Sequence, residues 1–153
     1  MNTSSNSGTS GTTATTETTG TTKTASGPRV WPALHYTDAD AALRFLTEVC
    51  GFEERCTYRA DDGTIAHGEV RGPEGGGVMY GTATEHNAGP ASPRVGGHAV
   101  YVVTADPDAV AERARRAGAR LLREPVDTDY GSHEITVADP DGNAWTFGTY
   151  PGE

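Results

Sequence analysis

The chain has 153 residues, enough for one domain, and a formal charge of −9, with no apolar run near the roughly 18–20 residues a membrane helix needs. So acidic a chain is a poor match for nucleic acid, where binding rests on Lys and Arg neutralising phosphates, and the expectation is a soluble protein with neither a nucleic-acid nor a membrane partner. Residues 1–27 are almost wholly Ser, Thr, Gly and Ala around Glu17 and Lys23, with no Leu, Ile, Val or aromatic residue. Such a segment has no apolar surface to offset about 1–2 kcal/mol of backbone entropy per ordered residue, so a disordered tail is expected there. It lacks the basic start and apolar core of a secretory signal. Its two charges cancel, and the acidity belongs to residues 28–153.

The first expected strand is Val30 to Tyr36, its start irregular because of Pro32. Asp38 or Asp40 can cap a helix in which Ala41, Ala42, Phe45, Leu46 and Val49 recur at helical spacing, and Gly51 closes it. Three strands follow: Phe52 to Arg59, Thr64 to Arg71 after the Asp62-Gly63 turn, and Val78 to Thr82 after a glycine-rich turn. The stretch Ala83 to Gly97, which includes His86, reads as a linker from its Gly and Pro content. A strand at His98 to Thr104 comes next. Asp106 caps a second helix with Pro107 at its first position, Arg113, Arg115 and Arg116 complement its carboxyl end, and Gly118 closes it. Strands at Ala119 to Arg123, His133 to Ala138 and Ala144 to Thr149 complete the chain, the last two joined by a Pro140-Asp141-Gly142-Asn143 turn.

The two halves repeat. An offset of 67 residues carries the Gly72-Pro73-Glu74-Gly75 turn onto Asp139-Pro140-Asp141-Gly142, Trp31 to Thr37 onto His98 to Thr104, Gly51 onto Gly118, and Ile65 to Val70 onto Ser132 to Val137. Four segments at one offset with no gap argue for an internal duplication. The expected fold is therefore α+β, with two tandem βαβββ units at residues 29–83 and 97–150. Each unit has a helix on one face of a four-stranded sheet, so the open faces are where two such sheets can curl around a shared cleft and a ligand.

This duplicated unit, its capped helix ending in Gly51-Phe52 and its closing Asp139-Pro140-Asp141-Gly142-Asn143 hairpin resemble the vicinal oxygen chelate superfamily of glyoxalases, extradiol dioxygenases, fosfomycin resistance enzymes and bleomycin resistance proteins. The likeness covers residues 29–150. The Tyr130-Gly131 segment is similar to the metal-free bleomycin-resistance branch, which implies a homodimer whose cleft binds a cationic compound at the subunit interface.

Metalloenzymes of this group hold a divalent ion with His and Glu side chains from the first and last strands of each unit. The 67-residue offset puts Trp31, Met79, His98 and Thr146 at those places, and only His98 is a good ligand for a hard ion. No metal cofactor is therefore expected. A displaced site of His67, His98 and Glu134 is the alternative, and would serve a divalent-metal lyase, isomerase or dioxygenase. If Ile135 and Val137 pack beneath the helix, alternation turns Glu134 and Thr136 toward the cleft, with His67 and Glu69 on the matching face and His35 beside Trp31. Glu69 or Glu134 could act as a base without metal, but no nucleophile motif is present, and no catalytic residue is assigned. The expected binding set is Trp31, His35, His67, Met79, His98, Tyr130, Glu134 and Thr146. Its aromatic and acidic character suits an apolar, aromatic or cationic small molecule, with Trp145 in the core. Cys50 and Cys56 are too few for a disulfide framework and read as buried free thiols of a cytoplasmic protein.

Overall fold

The computed structural model describes residues 29–85 and 95–153; the tail expected at 1–27 and the linker residues 86–94, His86 among them, lie outside the described residues. The elements are β1 (Ala33–Tyr36), α1 (Ala39–Arg44), a π-helical segment (Phe45–Val49), β2 (Glu53–Arg59), β3 (Ile65–Arg71), β4 (Gly77–Thr82), β5 (Ala99–Val103), α2 (Pro107–Arg116), β6 (Leu121–Asp127), β7 (His133–Ala138) and β8 (Ala144–Gly148). They form two four-stranded sheets of identical topology, β1-β4-β3-β2 and β5-β8-β7-β6. In each, the first strand runs parallel to the last and the other pairs are antiparallel.

Both helices begin as their sequences dictate. The Asp38 carboxylate accepts from the Ala41 amide at 2.8 Å and that of Asp106 from the Ala109 amide at 3.0 Å, each satisfying one of the free donors at a helix start. They end differently. After Arg44 the first helix widens: the Cys50 amide donates to the Phe45 carbonyl at 3.1 Å and the Phe52 amide to that of Leu46 at 2.9 Å. From cap to closing glycine there are thirteen steps between Asp38 and Gly51 and twelve between Asp106 and Gly118. The π segment absorbs the extra residue without unwinding the helix.

That residue corrects the constant offset. On the last strands the 67-residue relation holds, with Val78 and Tyr80 buried beneath the first helix as Trp145 and Phe147 are beneath the second. On the first strands it is 68, since Leu34 pairs with Tyr80 and Val102 with Phe147. Trp31 therefore corresponds to Ala99, and Ala33 corresponds to Tyr101. β6 also differs from the expected Ala119 to Arg123: it runs through Pro125 to Asp127, because it is an edge strand with register shifts on both sides of Arg123, where a missing N–H is tolerated.

One core serves both units. Trp145, with no exposed surface, packs on Phe45 and Phe52 at ring-centroid distances of 6.1 Å and donates its indole N–H to Asp139 at 3.1 Å. The buried Asp139 also accepts from the Asn143 amide and side chain at 2.8 Å, so the hairpin's polar groups are paired inside the core. The units also clasp each other reciprocally. Asp141, in the hairpin of the second, accepts from the Thr37 amide at 2.7 Å, and Glu74, its counterpart in the first, accepts from the Ala105 amide at 3.0 Å. The repeated Pro-acid-Gly turn is thus an inter-unit cap.

Candidate functional site

With the helices on one side, the opposite faces of the two sheets carry the exposed chemistry. On the second sheet, alternation from the core residues Val100, Val102, Ile135, Val137, Trp145 and Phe147 leaves Tyr101, Val103, Glu134, Thr136 and Thr146 on the open face. Glu134 is 2% exposed yet fully partnered. Tyr130 donates its hydroxyl to Oε1 at 2.7 Å, Tyr101 to the same oxygen at 3.2 Å, and Arg123 Nη1 to Oε2 at 3.2 Å. Gly148, opposite Glu134, leaves the necessary space: a Cβ there would lie 2.2 Å from the Tyr101 hydroxyl and 2.9 Å from Glu134 Cγ. Burial pushes the Glu134 carboxyl up, but hydrogen bonds from Tyr130, Ser132 and Tyr101 and the Arg123 charge outweigh it and hold the group below its ordinary range. The same bond raises the Tyr130 hydroxyl. The rings pinned this way still face outward: Tyr101 is 42% exposed, Tyr130 59% and the neighbouring Tyr150 39%, with Tyr130 and Tyr150 edge-to-face at 6.2 Å.

The first sheet carries a different set. His67 Nε2 lies 3.1 Å from Glu69 Oε1, the Tyr58 ring stacks on His67 at 6.3 Å, and Cys56 is opposite Glu69 across the β2–β3 pair. Cys56 is half-buried on this face, which corrects the reading of both cysteines as buried; Cys50 is buried, and burial pushes its thiol well up. Arg71 lies 5.1 Å above the Trp31 ring, and His35 Nδ1 is buried with no partner.

Of the expected site residues, His67 and Met79 share the open face of the first sheet, since Glu69 pairs with Met79, while Glu134, Tyr130 and Thr146 gather on the second. His98 is with neither group. It precedes β5 in phase with Val100 and Val102, the residues that pack on the core, and so turns away from Tyr101 and Thr146. Among the described residues, His67, His98 and Glu134 do not converge; the one grouping of three potential ligands is Cys56, His67 and Glu69. Sequence reasoning missed Tyr101, Arg123 and Tyr150. The uninterrupted offset had laid Tyr101 over the core residue Leu34, although the alternation Val100-Tyr101-Val102-Val103 was there to be read. The grooves between the units include one of about 590 Å³ beside the π segment and one of about 340 Å³ beside Trp145 that Tyr101 helps to line; neither takes in Glu134 or Cys56.

Sheet order, duplication and open faces together define a class, and the sequence agrees: residues 30–147 match the Glyoxalase/Bleomycin resistance protein/Dioxygenase superfamily, and the chain belongs to it. No curated protein sequence matches the chain. Among solved structures it is similar to TioX from Micromonospora sp. ML1, with 29% identity, a TM-score of 0.65, and 80% of this chain and 98% of that one covered. It shares its fold with TnmS3, an antibiotic binding protein from Streptomyces sp. CB03234 (20% identity, TM-score 0.59, covering 75% and 88%), and with a glyoxalase/bleomycin resistance protein from the same organism (20%, 0.59, 75% and 94%).

On the first and last strands, the elements from which the superfamily's metalloenzymes hold an ion, Ala33 pairs with Met79 and Tyr101 with Thr146. These offer a methyl group, a thioether, a phenol already bonded to Glu134 and a hydroxyl shared with Thr136 at 2.9 Å. That donor set does not fit a hard divalent ion.

Proposed function

We propose that the protein binds a planar aromatic or cationic small molecule on the open face of its second unit, with no metal at the superfamily's position and no chemical step. The observation that carries this reading is the trio Tyr101, Tyr130 and Tyr150. The first two are anchored by their hydroxyls to buried Glu134 and present their rings to solvent. Rings held this way lose little freedom on binding, and each stacked or cation–π contact contributes about 0.5–2 kcal/mol. The net charge of −9 favours a cationic ligand. TnmS3, which shares the fold, is an antibiotic binding protein, and a drug-like ligand fits the same reading here. A homodimer completes the site, the second copy covering sheet faces that one chain leaves open. The free thiols Cys50 and Cys56 suit a reducing, cytoplasmic setting.

Calorimetric titration with berberine and ethidium, both planar cations, alongside a neutral flavone and an anionic anthraquinone sulfonate, tests the reading. The expected result is saturable binding of the cations that weakens about tenfold in Tyr130→Ala, corresponding to about 1.4 kcal/mol. No saturable binding of any planar probe, or binding indifferent to Tyr130→Ala, contradicts it.

A further inference from the structure

The grouping on the first sheet is independent of that reading and has its own chemistry. A Cys56 sulfur, a His67 ring nitrogen and a Glu69 carboxylate oxygen lie within 4.8 Å of one another on the half-buried open face. We propose that Cys56, His67 and Glu69 form a binding site for one thiophilic divalent cation of the Zn²⁺ class, placed on β2 and β3 and not on the first and last strands.

Three observations carry the assignment. The first is geometry. Tetrahedral zinc with nitrogen and oxygen ligands at about 2.0–2.2 Å has an N···O edge of roughly 3.4 Å, and His67 Nε2 already lies 3.1 Å from Glu69 Oε1. A zinc-bound sulfur stands roughly 3.6 Å from each of the other two donors, so closure from within 4.8 Å is a side-chain movement and not a backbone one. The second is support. Cys56 pairs with Glu69 and Tyr58 with His67 across hydrogen-bonded strands, and the stacked Tyr58 ring restrains the imidazole. A register shift between Glu54 and Cys56 aims the thiol: Glu54 stays with Thr57 on the Tyr80 side of the sheet, and Cys56 turns to the open face. The third is charge and softness. A thiolate and a carboxylate neutralise a divalent ion, and sulfur with imidazole selects zinc-like ions over Mg²⁺ or Ca²⁺. Three protein ligands leave a fourth position for water or an incoming donor. The second unit cannot do this, because the matching positions are Arg123, Glu134 and Thr136.

The test uses the full chain, reduced and metal-free, titrated with Co²⁺ and followed by absorption, then with Zn²⁺ against a chromophoric chelator. One equivalent of Co²⁺ is expected to give a thiolate-to-metal charge-transfer band with tetrahedral d–d bands. The charge-transfer band is lost in Cys56→Ser and kept in Cys50→Ala, and Zn²⁺ affinity falls at least about tenfold in His67→Ala and in Glu69→Gln. Absence of a thiolate band, its survival in Cys56→Ser, or unchanged zinc affinity in His67→Ala overturns the site. Should a variant fail to fold, alkylation of Cys56 by iodoacetamide in the unmodified chain decides: one equivalent of Zn²⁺ has to slow it at least about tenfold, and an unslowed reaction is fatal to the assignment.

Discussion

Corresponding positions on the open faces of the two units carry Cys56, His67 and Glu69 in the first and Arg123, Glu134 and Thr136 in the second, on sheets of the same topology. In the second unit the central acid is buried and saturated by two tyrosine hydroxyls and a guanidinium. In the first, the imidazole meets the carboxylate and stacks on the Tyr58 ring, with a thiol beside them. The first strand accounts for part of this: Tyr101 reaches Glu134 from a place where the first unit has Ala33, whose methyl group has no hydrogen bond to offer. The duplicated frame fixes where side chains stand, and a few neighbours decide whether that place is closed by a network or left open to a ligand.

The largest effect expected strikes both units at once. Trp145→Ala removes the ring that packs on Phe45 and Phe52 and strands the Asp139 carboxylate, at a cost of about 3–5 kcal/mol in chemical denaturation. A loss under 1 kcal/mol would mean that the core is not shared.

The next prediction separates the faces. Glu134→Gln weakens three charge-assisted hydrogen bonds and is expected to cost about 1.5–3 kcal/mol near neutrality. The folded carboxyl titrates below its ordinary value of 4.5, so its contribution is present above that value and is lost as pH falls through the folded one. The stability gap between wild type and variant should therefore be widest near neutral pH and narrow as the pH falls below the ordinary carboxyl value of 4.5.

Gly68→Ala probes the first unit alone. Its Cβ would meet the buried Tyr80 ring at 2.2 Å, whereas Gly148→Ala meets the outer end of Tyr101. The former is expected to cost about 1–3 kcal/mol. The latter should cost less stability but weaken binding of a planar cation, because it moves the Tyr101 hydroxyl off Glu134.

Smallest are the inter-unit caps. Asp141→Ala and Glu74→Ala each remove one carboxylate-to-amide bond, about 0.5–2 kcal/mol apiece. Asp141 is expected at the upper end, for its 2.7 Å contact and partial burial, and Glu74, which is exposed, at the lower.

The architecture was legible in the sequence because its signals are local: Asp38 and Asp106 as caps, Gly51 and Gly118 as stops, and the repeated Pro-acid-Gly hairpin. The π segment was not, since one extra residue in an apolar helix leaves no mark that periodicity can resolve, and that residue threw the first strands out of phase. The misplacement of His98 and the oversight of Tyr101 both follow from it. Glu134 and Tyr130 were legible through alternation within a single strand and loop, which needs no alignment between units. Cys56 was obscured by the register shift beside it, because simple alternation from Glu54 turns its thiol to the helix side.

The division of chemistry between the faces is tested most directly by amide chemical-shift mapping on one isotopically labelled sample, titrated first with Zn²⁺ and separately with berberine. Two separate sets of perturbed residues are expected, centred on Cys56, His67 and Glu69 for the metal and on Tyr101, Tyr130 and Glu134 for the aromatic cation. Perturbation of one common set by both probes, or of neither face by either, would contradict the account.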